Sequence, residues 1–174
     1  MKNNSPSNIY SPFVALLVLF FVSGNIFSQE NNIYEIENQT VGKQPKLKNE
    51  NINNRDVFYD LTFKMYSTYY FQNKELKYVY GKGIPVKLTF RDLESVESLY
   101  DDKQNYSEVQ LITIDLLSPN DLNSSIDLTE SNEQLQNLKY VFIRCDFNCT
   151  DQQINKFIKV NSDARVFFTT EKGS

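Results

Sequence analysis

Apolar pairs spaced two residues apart recur through the second half of the chain. They are Val86/Leu88, Ile112/Ile114, Val141/Ile143 and Val166/Phe168, at intervals of 26, 29 and 25 residues. Alternation with period two predicts strands centred on these pairs. The segments between them change period. Leu93, Val96, Leu99 and Tyr100 form a helical stripe that Thr89 or Asp92 is placed to cap. Ser118-Pro-Asn-Asp121 combines a cap with proline in the first turn and leads into the less regular stretch 122–137. The clearest unit runs from the strand Tyr140–Arg144 into a helix that starts at Thr150-Asp-Gln-Gln153, a capping-box spacing, and carries Ile154, Phe157 and Ile158.

Upstream the pattern is less regular. Val57, Tyr59, Leu61, Phe63 and Met65 alternate with Asp60, Thr62 and Lys64, which predicts a strand over 56–71 with one buried face. Leu61, Met65 and Tyr69 also fit a helical spacing, so the end of that segment is open between the two. Leu76–Tyr80 predicts a further short strand, closed by a turn at Gly81-Lys-Gly83 where positive φ is easily adopted. Residues 29–55 are rich in Asn, Gln, Lys and Glu, with Gly42 and Pro45 as breakers, and read as a disordered linker. Within it Ile33-Tyr34-Glu-Ile36 would be the anchor if the arm ordered on a partner. A single domain is expected over 56–174.

Strand and helix alternating at this interval imply an α/β fold of repeated strand-helix units forming a mainly parallel sheet, with an N-terminal strand or hairpin. Leu135, Leu138, Val141 and Ile143 stand at Leu-x-x-Leu-x-x-Leu-x-Leu spacing. Tyr106, Val109, Ile112 and Ile114 repeat it, and Tyr80, Gly83, Val86 and Leu88 match in part. This spacing resembles the leucine-rich repeat, whose units span about 20–29 residues. The resemblance covers 80–170 and departs from the family at the asparagine-ladder position, which falls on Asp146 in one unit and Leu117 in another; the last unit has only its strand. It implies a short horseshoe with an open concave face. A compact α/β domain has the same strand-helix order and buries that face. With Val141, Ile143 and Cys145 on one side of the sheet, the other carries Tyr140, Phe142, Arg144 and Asp146, and in the next strand Arg165, Phe167, Thr169 and Glu171. Exposure of Phe142 and Phe167 therefore separates the two architectures.

The first 28 residues have the form of a secretory signal peptide: Lys2, the ten-residue apolar run Phe13–Val22, and a small and polar exit ending at Ser28. The run is about half of the ~20 residues a membrane span requires. The reading is export to a periplasm or the cell exterior, with membrane contact only through the leader if it is uncleaved. No cysteine lies near the exit to carry a lipid. The Ser-Gln-Glu exit and the abundance of Asn and Lys resemble exported proteins of Bacteroidetes-type bacteria.

Composition narrows the chemistry. The chain has a net charge of −4 and no histidine, which disfavours nucleic acid as partner and removes the commonest general base and transition-metal ligand. No calcium-loop spacing or phosphate-loop glycine pattern occurs, so no cofactor or metal is expected. The cysteines Cys145 and Cys149 stand four apart at a strand end. A disulfide between them would pin the intervening turn; buried free thiols and a redox pair are the other readings. In a parallel sheet, Asp115 and Arg144 would adjoin on the second face, flanked by Thr89 and Thr169. Two functions follow. One is a non-enzymatic exported protein contacting a protein or extracellular polymer through Phe142 and Phe167. The alternative is a small-ligand binder or enzyme using Asp115, Arg144, Asp146 and Arg91 at the C-terminal ends of the strands.

Overall fold

The computed structural model describes residues 33–36, 52–100, 104–129 and 134–170. In chain order the elements are β1 (Ile33–Glu35), α1 (Ile52–Phe63), β2 (Thr68–Gln72), β3 (Glu75–Tyr80), β4 (Lys87–Phe90), a 3-10 helix over Leu93–Tyr100 and β5 (Leu111–Leu116). A second 3-10 helix over Pro119–Asn123 follows, then β6 (Ile126–Asp127), β7 (Tyr140–Cys145), α2 (Asp151–Phe157), β8 (Ile158–Lys159) and β9 (Arg165–Thr170).

The four repeated apolar pairs fall in or beside adjacent strands of one seven-stranded sheet, ordered β1-β9-β7-β5-β4-β2-β3. All neighbouring strands are parallel except β3, which returns antiparallel to β2. Every residue of β5 is buried, as the central position of this strand requires. After the β2–β3 hairpin, which forms one edge, the chain steps across the sheet in one direction from β4 through β5 and β7 to β9. The connections after β4, β5 and β7 contribute Val96, Leu99, Leu128, Leu135, Ile154 and Phe157 to a single core against Leu88, Ile112, Ile114, Val141, Ile143 and Val166. One face is thus covered by these three connections, and Ile126 and Ile158 of the small parallel pair β6–β8 join the same core. This one-sided winding is the feature shared with a repeat horseshoe.

The caps form at the expected places. Asp92 Oδ1 accepts hydrogen bonds from the Ser95 N–H (2.9 Å) and the Ser95 hydroxyl (2.7 Å), so Asp92 rather than Thr89 caps the helix after β4. Thr150 accepts from the Gln153 N–H, and the Gln153 side chain accepts from the Thr150 N–H at 2.9 Å.

Two upstream segments differ from expectation. The strand expected over 56–71 is instead α1, followed by the short strand β2. Phe58 and Leu61, three apart and so on one helical face, are buried, whereas Val57, Phe63 and Met65 of the alternating set are exposed. The reason lies outside the segment: α1 docks on the second face of the sheet, where Phe58 and Leu61 meet Leu111, Tyr140 and Phe167. The second difference is at 33–36. Ile33–Glu35 pairs in parallel with Val166–Phe168, and the Ile36 N–H donates to the Phe168 carbonyl at 2.7 Å. The anchor in the polar stretch is therefore a strand of the chain's own sheet, and the boundary expected at Asp56 falls inside a helix.

The expected hairpin is β2–β3. Its two turn residues, Asn73 and Lys74, both have positive φ (52° and 61°), the backbone of a tight turn matched to strand twist. Among the described residues no helix is long and apolar enough to cross a membrane; the leader expected over 1–28 lies outside them.

Candidate functional site

Helix α1 covers only part of the second face. Strand register places side chains there in rows. The middle row reads Tyr70, Thr89, Thr113, Phe142, Phe167 and Tyr34 across six strands. Phe58 sits over its apolar end, 4.1 Å from the Phe167 ring centroid and 5.5 Å from that of Phe142, the latter edge-on. Phe167 is fully buried and Phe142 half-buried, so the open aromatic face on which the contact-surface role of these two rings depended is absent. A ring pair in a core costs far less to keep than an exposed one, and α1 supplies the cover.

The next row toward the C-terminal strand ends lies beyond the helix. Asp115 pairs with Arg144 and Arg144 with Thr169, while Gln72 and Arg91 immediately follow the register partners Phe71 and Phe90. Gln72, Arg91, Asp115, Arg144 and Thr169 thereby line one cleft of about 590 Å³, completed by Leu117, Cys145 and Asp146. The sequence forces this grouping because period two puts each of these residues on the same side of its strand as the middle row.

Arg144 and Asp115 form a two-pronged ion pair: Nε donates to Oδ1 and Nη2 to Oδ2, both at 2.7 Å. The carboxylate is 12% exposed and the guanidinium side chain 40%. Charge-assisted bidentate pairs of this kind fix geometry as well as adding energy. Arg91 has a different environment. Its guanidinium lies 5.7 Å from the centroid of the Tyr70 ring, and among the described residues no carboxylate pairs with it. A second hollow of about 360 Å³ adjoins on the hairpin side, lined by Tyr70, Phe71, Gln72, Lys77, Tyr78 and Arg91. Gln72 and Arg91 belong to both.

Cys145 and Cys149 are both free and buried, so the expected disulfide is not present. Both side chains belong to the core on the crossover side of the sheet, and that burial accounts for them without a bond. The Cys145 thiol hydrogen-bonds Cys149; that bond, with burial, raises Cys145 far above the ordinary thiol range, and the same bond lowers Cys149 against the opposing effect of burial. Among the described residues no cluster of three or more potential metal ligands occurs.

The structure brings together Asp115, Arg144, Asp146 and Arg91, the set expected at the strand ends, and separates from it Phe142 and Phe167. Gln72, Tyr70 and Tyr78 were not legible as site residues. Their signal was the concentration of tyrosines between Tyr59 and Tyr80, but the place of β2 beside β4 depends on long-range pairing.

Fold and site together define an α/β domain with a mainly parallel sheet and a charged cleft at the carboxyl edge of its strands. No protein-family model matches the chain, and comparisons with curated proteins and with solved structures give no significant match. The leucine-rich-repeat likeness is one of strand order and of the winding from β4 to β9.

Proposed function

We propose that this chain is a small-ligand-binding domain whose ligand sits in the strand-end cleft. The observation that carries the reading is the row Gln72, Arg91, Asp115, Arg144 and Thr169, which five adjacent parallel strands present beyond the edge of α1. Parallel α/β sheets bind ligands at this edge because the strand ends, unlike the sheet faces, are not needed to build the core. The Arg144–Asp115 pair supports binding more than catalysis: each group satisfies the other, which suits orientation of polar contacts better than proton transfer. The leader pattern favours a role outside the cytoplasm.

A second reading rests on β3. This edge strand is exposed along nearly its whole length, with Leu76, Tyr78 and Val79 open to solvent, a surface suited to contact with a protein or an extracellular polymer.

The test is amide chemical-shift mapping of isotope-labelled protein against a panel of simple sugars, amino acids, carboxylates and inorganic phosphate. Perturbations at Gln72, Arg91, Asp115, Arg144 and Thr169, abolished in the double variant Asp115→Asn/Arg144→Gln, are expected. Perturbations confined to β3 would favour the second reading, and none at the row would refute the first.

A further inference from the structure

We infer that the ligand of this cleft is a ring bearing an anionic substituent, carboxylate or phosphate, with the anion at Arg91 and Gln72 and the ring on Tyr78. The inference rests on the strand-end cleft being the binding site and adds the class of ligand.

Charge distribution within the row carries the first half. Asp115 lies between two arginines and commits both its oxygens to Arg144. Arg91, on the other side, is left with its charge unmatched among the described residues. Its position is nonetheless set: its N–H donates to the Phe71 carbonyl at 2.9 Å, and its guanidinium rests over Tyr70. A cation held over an aromatic ring loses less freedom when an anion arrives than a solvated one. Gln72, beside it, is exposed and makes no side-chain hydrogen bond among the described residues, so its carboxamide can donate to the same anion. Lys77, the other cation of the second hollow, is occupied by Glu75 at 2.5 Å. Asp146, the remaining carboxylate, lines only the first cleft and not the second.

Aromatic geometry carries the second half. Tyr78 faces Tyr70 across the hairpin, with ring centroids 5.6 Å apart and planes inclined by 41°. Tyr78 is 59% exposed, leaving ring surface open to a flat partner. Both tyrosines line the hollow that shares Arg91 and Gln72 with the main cleft. An anion site and an aromatic platform are thus continuous, and a ligand that uses both must join a charged group to a ring.

The experiment titrates the whole chain with benzoate, glucuronate, inorganic phosphate and neutral glucose, followed by amide shifts. Benzoate or glucuronate should perturb Gln72, Arg91 and Tyr78, with glucose at least about tenfold weaker. An aromatic acid and a sugar acid share the proposed chemistry, and whichever of the two binds more tightly indicates which ring is preferred. Arg91→Gln should weaken the ring acid about tenfold or more, while Arg91→Lys retains part of the affinity. Tyr78→Ala should weaken the ring acid and leave inorganic phosphate unchanged. Both positions are exposed, and an unchanged thermal midpoint would show that the variants fold. Binding at the row that Arg91→Gln leaves intact, or glucose equal to the two acids, overturns the inference while the cleft reading stands. Absence of any perturbation at the row by these probes overturns the inference; only absence across the wider panel overturns the cleft reading.

Discussion

Truncating Phe58 to alanine tests whether α1 is a firm part of the fold, on which the location of the cleft depends. Phe58 is 1% exposed and packs against Tyr59, Tyr140, Phe142 and Phe167. Phe→Ala at a buried site costs about 3–5 kcal/mol, from lost transfer energy and the cavity left behind. Three of the four rings belong to strands that cannot shift to fill it, so the lower end of that range does not apply and a loss of about 4 kcal/mol is expected. Domains of this size are stable by about 5–15 kcal/mol, which makes this a large share of the total. In urea, with a slope of about 2 kcal/mol/M, the midpoint should fall by about 2 M. Far-ultraviolet circular dichroism follows the transition, since the chain has 11 tyrosines but no tryptophan. Phe63→Ala is the control: Phe63 is 70% exposed, and its replacement should change stability by no more than about 0.5 kcal/mol. A fall below about 0.5 M for Phe58→Ala would refute the reasoning. It would mean that α1 is not docked, that Phe142 and Phe167 are open, and that the contact-surface reading returns.

Two further expectations concern local features. The Asp127 carboxyl is held below its ordinary value of 3.8, chiefly by the Thr129 hydroxyl and also by the Thr129 N–H and Lys159. A depressed carboxyl contributes stability above its unfolded value and loses it as pH falls through the lower folded one. Asp127→Asn should therefore flatten the acid limb of stability below about pH 4, measured as urea midpoint against pH; an unchanged limb would count against this assignment. At the hairpin, Lys74 has φ of 61°, a backbone region that costs a side-chain-bearing residue roughly 1 kcal/mol. Lys74→Gly relieves this and gives up only an exposed, solvent-screened pair with Glu97, so a higher melting temperature is expected; a lower one would refute the balance.

The sequence by itself determined the repeated strands, the cap at Thr150, a cap at Thr89 or Asp92 for the helix after β4, and the pairing of Asp115 with Arg144. These follow from local alternation and spacing, because a strand buried in a parallel sheet must be apolar over consecutive residues and its neighbours share its register. It also placed the candidate chemistry at the carboxyl edge, since side-chain period along a strand carries over to the row it joins. Tertiary structure alone decided α1, whose alternating apolar residues fit a strand until Phe58 and Leu61 found Leu111, Tyr140 and Phe167 to cover. It decided that Ile33–Glu35 closes one edge of the sheet: the sequence marks this short apolar segment as an anchor in the polar stretch but does not say that it pairs with Val166–Phe168. It also decided that β2 lies beside β4, which brings Gln72, Tyr70 and Tyr78 to Arg91. The physical reason is common to all three: their burial is supplied by residues distant in the chain, so local hydrophobic pattern does not specify the surface against which each element packs.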